Sequence, residues 1–263
     1  MQIKDRTYII SGGASGLGRA VVEDLCKGGG YVAILDINPE LAEAFVKNIG
    51  DGKTKFFETD VLESDSIAKS VEGAVLWAKE TGKDIGGVIA AAGVGNPTKI
   101  LDRKGNAMAM DSFDFVMNVN LRGTIDLIRQ VLPHMAKTTP IGEDGERGCV
   151  IMVASSAAFD GQPGQVAYSA SKGAIASLTL PMTRDLAPHG IRVVTIAPSM
   201  FETRMTAALS EKARASLLKV VEFPVRGGKP AEFASLVKHS IENVMLNGVV
   251  LRLDGGTRMP SKM

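Results

Sequence analysis

The feature that most constrains the fold is a repeated alternation of short apolar runs with helical stretches. Seven runs read as strands: TYIIS (7–11), YVAILDI (31–37), KFFETD (55–60), GGVIAAAG (86–93), CVIMVAS (149–155), IRVVTIAP (191–198) and VVLRLDGG (249–256). Near-continuous apolar strands separated by helices indicate a parallel sheet covered on both faces. With 45% hydrophobic residues and no repeat, linker or low-complexity segment, the 263-residue chain is predicted to be a single α/β domain over 1–263.

Helices are predicted between these strands. They cover 16–27, a stretch opening at Pro39, 64–79, one long helix over 111–135, the stretch from Tyr168 to Leu186, and two stretches near 209–219 and 230–245. Proline is favoured in the first turn of a helix, which supports the start at Pro39.

Composition excludes several classes of function. The formal net charge of +1 offers no electrostatic basis for binding nucleic acid or a membrane surface. Cys26 and Cys149 lack metal-ligand spacing, so no metal site and a reducing compartment are expected. No apolar run approaches the roughly 18 residues of a transmembrane helix. The first strand begins near Thr7, so we expect no signal or transit peptide.

A glycine-rich turn, SGGASGLG, follows the first predicted strand and precedes a helix. Gly12, Gly16 and Gly18 give the pattern G-x-x-x-G-x-G. Small residues let the backbone approach a pyrophosphate, and the following helix N-terminus supplies partial positive charge and free N–H groups. The position between strand and helix predicts dinucleotide binding, against the alternative of a plain tight turn.

An acidic residue ends the second predicted strand. Asp36 can accept hydrogen bonds from both adenosine ribose hydroxyls and would repel a 2′-phosphate. Ser15 offers no compensating cation, and Arg19 can point to solvent. The sequence therefore favours NAD over NADP.

The stretch from Val153 to Lys172 carries the predicted chemistry. Tyr168 and Lys172 lie four residues apart, which places both on one face of a helix, and Ser155 ends the preceding strand. A nearby cation stabilises a phenolate, so we expect Lys172 to lower the pKa of Tyr168 towards the working pH of an acid–base catalyst. The alternative is a surface pair with no chemical role.

Two further groups have both a functional and a structural interpretation. Asp60 and Val61 end the third predicted strand, where a carboxylate and a small apolar side chain can flank an adenine. Asn120 lies inside the predicted long helix beside Gly123, which suggests a kink with its carbonyl or side chain holding a water. The alternative for Asn120 is a buried amide with satisfied hydrogen bonds.

These motifs, taken in order, resemble the short-chain dehydrogenase/reductase family over nearly the whole chain. The resemblance implies a Rossmann-type doubly wound sheet, a homotetramer, and roles for four residues: Tyr168 as acid/base, Lys172 on the nicotinamide ribose, Ser155 on the substrate oxygen and Asn120 on a water-linked proton path. Ser199 stands where the family has glycine, so the resemblance leaves the loop geometry there open.

Longer segments, including SSAAFDGQPGQVAYSASKG and LNGVVLRLDGGTRMP, are similar to the 3-hydroxyacyl-CoA dehydrogenase type-2 group, also described as type 10 17β-hydroxysteroid dehydrogenases. That similarity implies NAD-dependent oxidation of 3-hydroxyacyl-CoA thioesters in fatty acid metabolism. It implies substrate contacts from Ser155 and Gln162. By position it also implies cofactor contacts from Gly12, Ser15, Gly16, Leu17, Gly18, Asp36, Asp60, Val61, Ala91, Gly93, Tyr168, Lys172, Phe201 and Thr203.

Other functions remain open from the sequence. The same chemistry can act on another alcohol or ketone, such as a steroid or a secondary-metabolite intermediate. A non-catalytic dinucleotide sensor is a third hypothesis, although such proteins tend to lose the tyrosine or the lysine.

Two segments outside these motifs carry predictions of their own. The connection over 94–110 is long and contains Lys99, Arg103 and Lys104, which form either a solvated loop or a basic rim for the phosphates of CoA. The chain ends in Ser261-Lys262-Met263, which differs from the peroxisomal address Ser-Lys-Leu by its last residue. We expect a peroxisomal location, with the cytoplasm as the alternative.

Overall fold

Seven parallel strands form one sheet in the computed structural model, which describes residues 1–50, 52–207 and 211–259. The strand order is β3-β2-β1-β4-β5-β6-β7. The strands are β1 (Thr7–Ser11), β2 (Tyr31–Asp36), β3 (Thr54–Glu58), β4 (Ile85–Ala90), β5 (Gly148–Val153), β6 (Ile191–Pro198) and β7 (Val249–Leu253). The predicted Rossmann-type doubly wound sheet is confirmed.

The helices connect successive strands. They are α1 (Gly16–Lys27), α2 (Pro39–Ile49), α3 (Ser64–Thr81), α4 (Met110–Met117), α5 (Gly123–Met135), α6 (Val166–Leu186), α7 (Arg204–Ala207), α8 (Glu211–Leu218) and α9 (Pro230–Glu242). Part of the helix predicted over 209–219 lies outside the described residues. In the described part of the chain, no helix is long and apolar enough to cross a membrane.

Two apolar layers cover the sheet. Alternate residues of a strand point to opposite faces, so Ile10 of β1 packs with Leu25 and Phe233 on one face, while Ile9 packs with Val71 on the other. Helices α1 and α9 contact each other over the first face, and α3 and α5 over the second. This double cover explains why the strands read as continuous apolar runs.

The long helix predicted over 111–135 is interrupted by a π-helical turn. Residues Asn118–Arg122 form this turn between α4 and α5. Gly123, which follows it, passes so close to the loop after β3 that a Cβ atom there would lie 2.7 Å from the carbonyl oxygen of Val61. The predicted irregularity at Asn120 is therefore present, as an inserted residue in the helix.

Several strands end earlier than the apolar runs suggest. β3 stops at Glu58, β4 at Ala90, β5 at Val153 and β7 at Leu253, so the remaining residues of each predicted strand leave the sheet as loops. Asp60 and Val61 therefore lie in the loop after β3 and do not end the strand. The strand order reverses between β1 and β4, and a crevice forms where such a reversal occurs, outside the carboxyl ends of the strands. The loops that leave β1, β4, β5 and β6 meet there.

Candidate active site

The glycine turn after β1 is too tightly packed for side chains. A Cβ atom on Gly18 would lie 2.2 Å from the carbonyl oxygen of Gly12, and one on Gly12 would lie 2.9 Å from the backbone of Ala92. Gly12 and Gly16 also have φ values of 66° and 54°, in the left-handed region that favours glycine. The turn is thus a backbone cradle at the N-terminus of α1, which fits an anionic group such as a pyrophosphate.

The carboxylate of Asp36 holds this turn in place. One of its oxygens accepts a hydrogen bond from the Ala14 N–H at 3.0 Å, and the other accepts one from the Asn38 N–H at 3.1 Å. Both oxygens keep a second lone pair for a ligand hydroxyl. Arg19 points elsewhere, because it pairs with Glu23 at 3.1 Å and its guanidinium lies 4.5 Å from the ring centroid of Phe45.

Ser155, Tyr168 and Lys172 converge beside the cradle. Ser155 follows the end of β5, its Oγ accepts a hydrogen bond from the Ala157 N–H at 3.2 Å, and it is hydrogen-bonded to the phenol of Tyr168. The Nζ of Lys172 lies 5.9 Å from the ring centroid of Tyr168 and donates to the carbonyl oxygen of Val153 at 2.7 Å. The side chains are brought together by the i, i+4 spacing on α6 and by the packing of α6 over β5 and β6.

Burial sets the ionisation of this cluster. Burial raises the pKa of Tyr168 above its ordinary value, and the hydrogen bond from Ser155 offsets only part of that rise. Burial also lowers the pKa of Lys172 to about 8. The expected fall of the Tyr168 pKa towards neutral pH is therefore absent in the protein alone, because desolvation of the phenolate outweighs the hydrogen bond from Ser155.

Asn120 is fully buried and its side chain has no free hydrogen-bonding group. Its Oδ1 accepts from the Val94 N–H at 2.8 Å, and its Nδ2 donates to the Val94 carbonyl at 3.0 Å and to the Ser171 Oγ at 3.1 Å. Its carbonyl oxygen accepts from the Thr124 hydroxyl at 2.8 Å. The side chain is therefore a buried amide with satisfied hydrogen bonds, as the structural alternative expected. A role for Asn120 in holding a water on a proton path stays a prediction, and it concerns the carbonyl oxygen.

A cavity of about 210 Å³ joins the cradle to the Ser155–Tyr168–Lys172 cluster. Most of the residues predicted to bind cofactor or substrate line it: Gly12, Ser15, Gly16, Leu17, Gly18, Ala91, Gly93, Ser155, Tyr168, Lys172, Phe201 and Thr203. Asp36, Asp60, Val61, Asn120 and Gln162 lie outside this lining. The structure thus brings three of the four catalytic candidates and most of the cofactor candidates together in this cavity, while Asn120 and the other four lie outside its lining.

The residues outside the cavity have identifiable contacts. The Oδ1 of Asp60 accepts from the Leu62 N–H at 2.9 Å, and Val61 packs against the backbone of Gly123. The N–H of Gln162 donates to the Oε1 of Gln165 at 2.9 Å. Its buried Nε2 has no hydrogen-bond partner among the described residues.

The loop after β6 contributes lining residues that the sequence did not reveal. Arg204 and Thr206 line the cavity beside Phe201 and Thr203, and the Thr206 hydroxyl donates to the Phe201 carbonyl at 2.5 Å. In the sequence, only the position of Arg204 and Thr206 shortly after a predicted strand suggests that they belong to the site, so they could not be identified there. Ser199 also lines the cavity, and its buried Oγ has no partner in the described part of the chain.

Within 1–50, 52–207 and 211–259, the structure contains no group of three or more His, Cys, Asp or Glu side chains that could hold a metal ion.

The fold and site define an α/β protein with an anion cradle and a Ser–Tyr–Lys cluster at the point where the strand order of its sheet reverses. The chain belongs to the short chain dehydrogenase family, whose model matches residues 6–214.

Individual relatives agree with this membership. The chain is 42% identical over 258 residues to "3-hydroxyacyl-CoA dehydrogenase type-2" of Drosophila melanogaster, covering 98% of this chain and 99% of the relative. It is similar to the crystal structure of 3-hydroxyacyl-CoA dehydrogenase type-2 from Mycobacterium avium, with a TM-score of 0.91, 34% identity and complete coverage of both chains. A 3-ketoacyl-(acyl-carrier-protein) reductase from Brucella melitensis, solved with NADH, has a TM-score of 0.83 and 26% identity, covering 98% of this chain and 100% of that one.

Proposed function

We propose that the protein is an NAD-dependent oxidoreductase that interconverts a secondary alcohol and a ketone. The substrates we favour are 3-hydroxyacyl-CoA and 3-oxoacyl-CoA, as in fatty acid β-oxidation. The observation that carries this proposal is the convergence of Ser155, Tyr168 and Lys172 in one cavity with the glycine cradle. The names of the relatives from Drosophila melanogaster and Mycobacterium avium support the choice of substrate.

In this proposal the protein supplies the proton transfer and the orientation of the substrate. Tyr168 exchanges a proton with the alcohol oxygen, and Ser155 holds that oxygen by a hydrogen bond. Lys172 holds the nicotinamide ribose, and the Asn120 carbonyl continues the proton path. At neutral pH Lys172 is mainly protonated, because its pKa of about 8 lies above 7.

NAD fits the residues that are present. The cradle of Gly12, Gly16 and Gly18 is bare backbone at the N-terminus of α1, which suits a pyrophosphate, and Asp36 keeps lone pairs for the ribose hydroxyls. When bound, the cofactor would supply the acceptor for the hydride of the alcohol carbon and, in its reduced form, the hydride for the ketone. Asp60, Val61, Ala91, Gly93, Phe201 and Thr203 complete the proposed cofactor contacts.

We also propose that the protein is a homotetramer. Apolar side chains on the outside of two long helical segments support self-association: Met110 and Phe115 of α4 and Leu180 of α6 are exposed by 43–60% in the single chain. Light scattering should give a mass of four chains, and a monomer mass at micromolar concentration would contradict this.

The acid–base assignment predicts a selective loss of turnover. Tyr168→Phe removes the transferable proton but keeps the ring, so kcat should fall by about 10²–10⁴-fold with the melting temperature and NADH affinity nearly unchanged. Lys172→Ala should weaken both turnover and NADH binding. Tyr31→Phe, on a ring that packs 6.1 Å from Trp77 away from the cavity, is the matched control. Near-normal kcat for Tyr168→Phe would show that another group is the acid/base.

The carboxylate of Asp36 predicts the choice of cofactor. A 2′-phosphate would meet this charge with no basic partner, since Arg19 is engaged with Glu23. The kcat/KM ratio of NADH over NADPH should be at least about tenfold, which corresponds to about 1.4 kcal/mol. Equal efficiencies with the two cofactors would contradict the assignment.

The basic residues of the 94–110 connection predict a contribution to CoA binding. Lys99, Arg103 and Lys104 are exposed on a small hairpin in which Leu101 pairs with Ala107, and Asp102 accepts hydrogen bonds within the turn. Replacing all three with Gln should raise KM for acetoacetyl-CoA several-fold, and KM for a CoA-free ketone much less.

The control for this experiment is a triple variant with the same change in charge. Lys47, Lys69 and Lys79 are exposed on α2 and α3, and their replacement with Gln should leave both KM values unchanged. An equal rise in KM for both substrates in the variant that lacks Lys99, Arg103 and Lys104 would refute a role of these residues in binding CoA.

We propose a peroxisomal location, with the cytoplasm as the alternative. The support is the C-terminal Ser261-Lys262-Met263, in which an unbranched thioether replaces the leucine of the address Ser-Lys-Leu. This tripeptide lies outside the described residues. A fluorescent protein carrying the last ten residues should enter peroxisomes in a eukaryotic host and lose that location when the tripeptide is deleted. A diffuse signal in both cases would reject the proposal.

A further inference from the structure

We propose that Ser171 is a positioning residue, which fixes Tyr168 by linking its backbone through Asn120 to the loop after β4. This inference rests on the proposed acid–base role of Tyr168. It concerns a residue that does not itself line the cavity, and it assigns that residue a measurable effect on the reaction.

The link is a continuous chain of short hydrogen bonds. The Ser171 Oγ donates to the Tyr168 carbonyl oxygen at 2.8 Å and accepts from the Asn120 Nδ2 at 3.1 Å. Asn120 in turn holds both backbone groups of Val94, at 2.8 and 3.0 Å. Ser171 and Asn120 are both completely buried, so water does not compete for these bonds. Three separate segments are thereby fixed to one another.

The start of α6 has no side-chain cap of its own. Tyr168 is the third residue of the helix, and the N-cap residue Gln165 makes no side-chain capping hydrogen bond. The first turn of a helix has unpaired N–H groups and frays when it is not held. Ser171 attaches this turn to the π-helical turn at Asn118–Arg122 through the buried amide of Asn120.

The same chain of hydrogen bonds places the neighbours of Lys172. Gly93 precedes the anchored Val94, and a Cβ atom on Gly93 would lie 3.2 Å from the Asn120 Oδ1 and 3.4 Å from the Lys172 Nζ. The loop after β4 therefore approaches both Asn120 and the lysine ammonium closely. Loss of the Ser171 hydroxyl releases the helix from this loop, and the distance from the Tyr168 phenol to Ser155 is then no longer fixed.

The consequence is a loss of catalytic geometry rather than of binding. A displacement of about 1 Å in a reacting group can cost about 10²-fold in rate. The Ser155–Tyr168 hydrogen bond lowers the pKa of the phenol, so a looser contact leaves that pKa higher. For oxidation of an alcohol, which requires the deprotonated phenol, the rising limb of the pH profile of kcat then moves to higher pH.

The test compares Ser171→Ala with Ser169→Ala on the same helix. Ser169 also has a buried hydroxyl, but it has no hydrogen-bond partner among the described residues, so its removal breaks no such bond. Ser171→Ala should lower kcat at least tenfold, leave the Kd for NADH within about threefold, and shift the pH profile to higher pH. Ser169→Ala should change each quantity by less than about twofold.

Further variants separate positioning from stability. Ser171→Thr keeps the hydroxyl and should restore most of kcat. Ser171→Cys is closer to serine in volume, and it replaces Ser171→Ala in the comparison if the alanine variant does not fold. In the Tyr168→Phe background, Ser171→Ala should add little further loss, because its effect acts through the phenol. A lower melting temperature with unchanged kcat and pH profile would overturn the proposal, as would additive losses in the double variant.

The proposed function and the positioning role of Ser171 are tested by different variants. Tyr168→Phe alone tests the acid–base assignment, and the Ser171 comparison is made with whichever secondary alcohol the wild-type protein oxidises. If Tyr168→Phe retains turnover, the proposed mechanism fails. If Tyr168→Phe is inactive and Ser171→Ala is normal, only the positioning role fails. Absence of turnover by the wild-type protein on any secondary alcohol would overturn both.

Discussion

The site depends on one buried contact, the hydrogen bond from the Lys172 ammonium to the carbonyl oxygen of Val153. It joins α6 to the end of β5 and places a cation at the carboxyl edge of the sheet, where the loops after β1, β4 and β6 also end. Burying this cation is unfavourable and lowers its pKa to about 8. Because the unfolded lysine stays protonated up to its ordinary pKa of 10.5, the free energy of unfolding should rise between about pH 8 and pH 10.5. Burial of the ammonium therefore costs stability at neutral pH.

The desolvation that lowers the lysine pKa raises that of the neighbouring tyrosine. Burial holds the Tyr168 phenol in its protonated form, and Ser155 offers only partial compensation. The cluster therefore favours donation of a proton to a ketone in the protein alone. Oxidation of an alcohol requires the deprotonated phenol, and the positive charge of an oxidised nicotinamide would stabilise that phenolate if it were bound beside Tyr168. Cofactor binding and acid–base strength would then be coupled.

Much of this arrangement could be predicted from the sequence, because local patterns determine it. Continuous apolar runs predicted the seven strands, and the spacing of Gly12, Gly16 and Gly18 predicted the cradle. The direction in which the pKa of Tyr168 shifts could not be predicted, because the shift depends on how completely distant segments exclude water from the phenol. The π-helical turn at Asn118–Arg122 was suggested only as a kink, because the close approach of Gly123 to Val61 beside it is a tertiary contact. The partners of Asn120, at Val94 and Ser171, likewise come from tertiary packing that no local pattern encodes.

The account is tested most directly by titrating the Tyr168 phenol. The chain has three tyrosines, so the ultraviolet difference between the wild-type protein and Tyr168→Phe isolates this group. In the protein alone the phenol should ionise above the ordinary value of about 10. With NAD bound its pKa should fall by more than one pH unit, because the cationic ring stabilises the phenolate. A phenol that ionises near neutral pH without NAD, or whose pKa does not respond to NAD, would contradict the account.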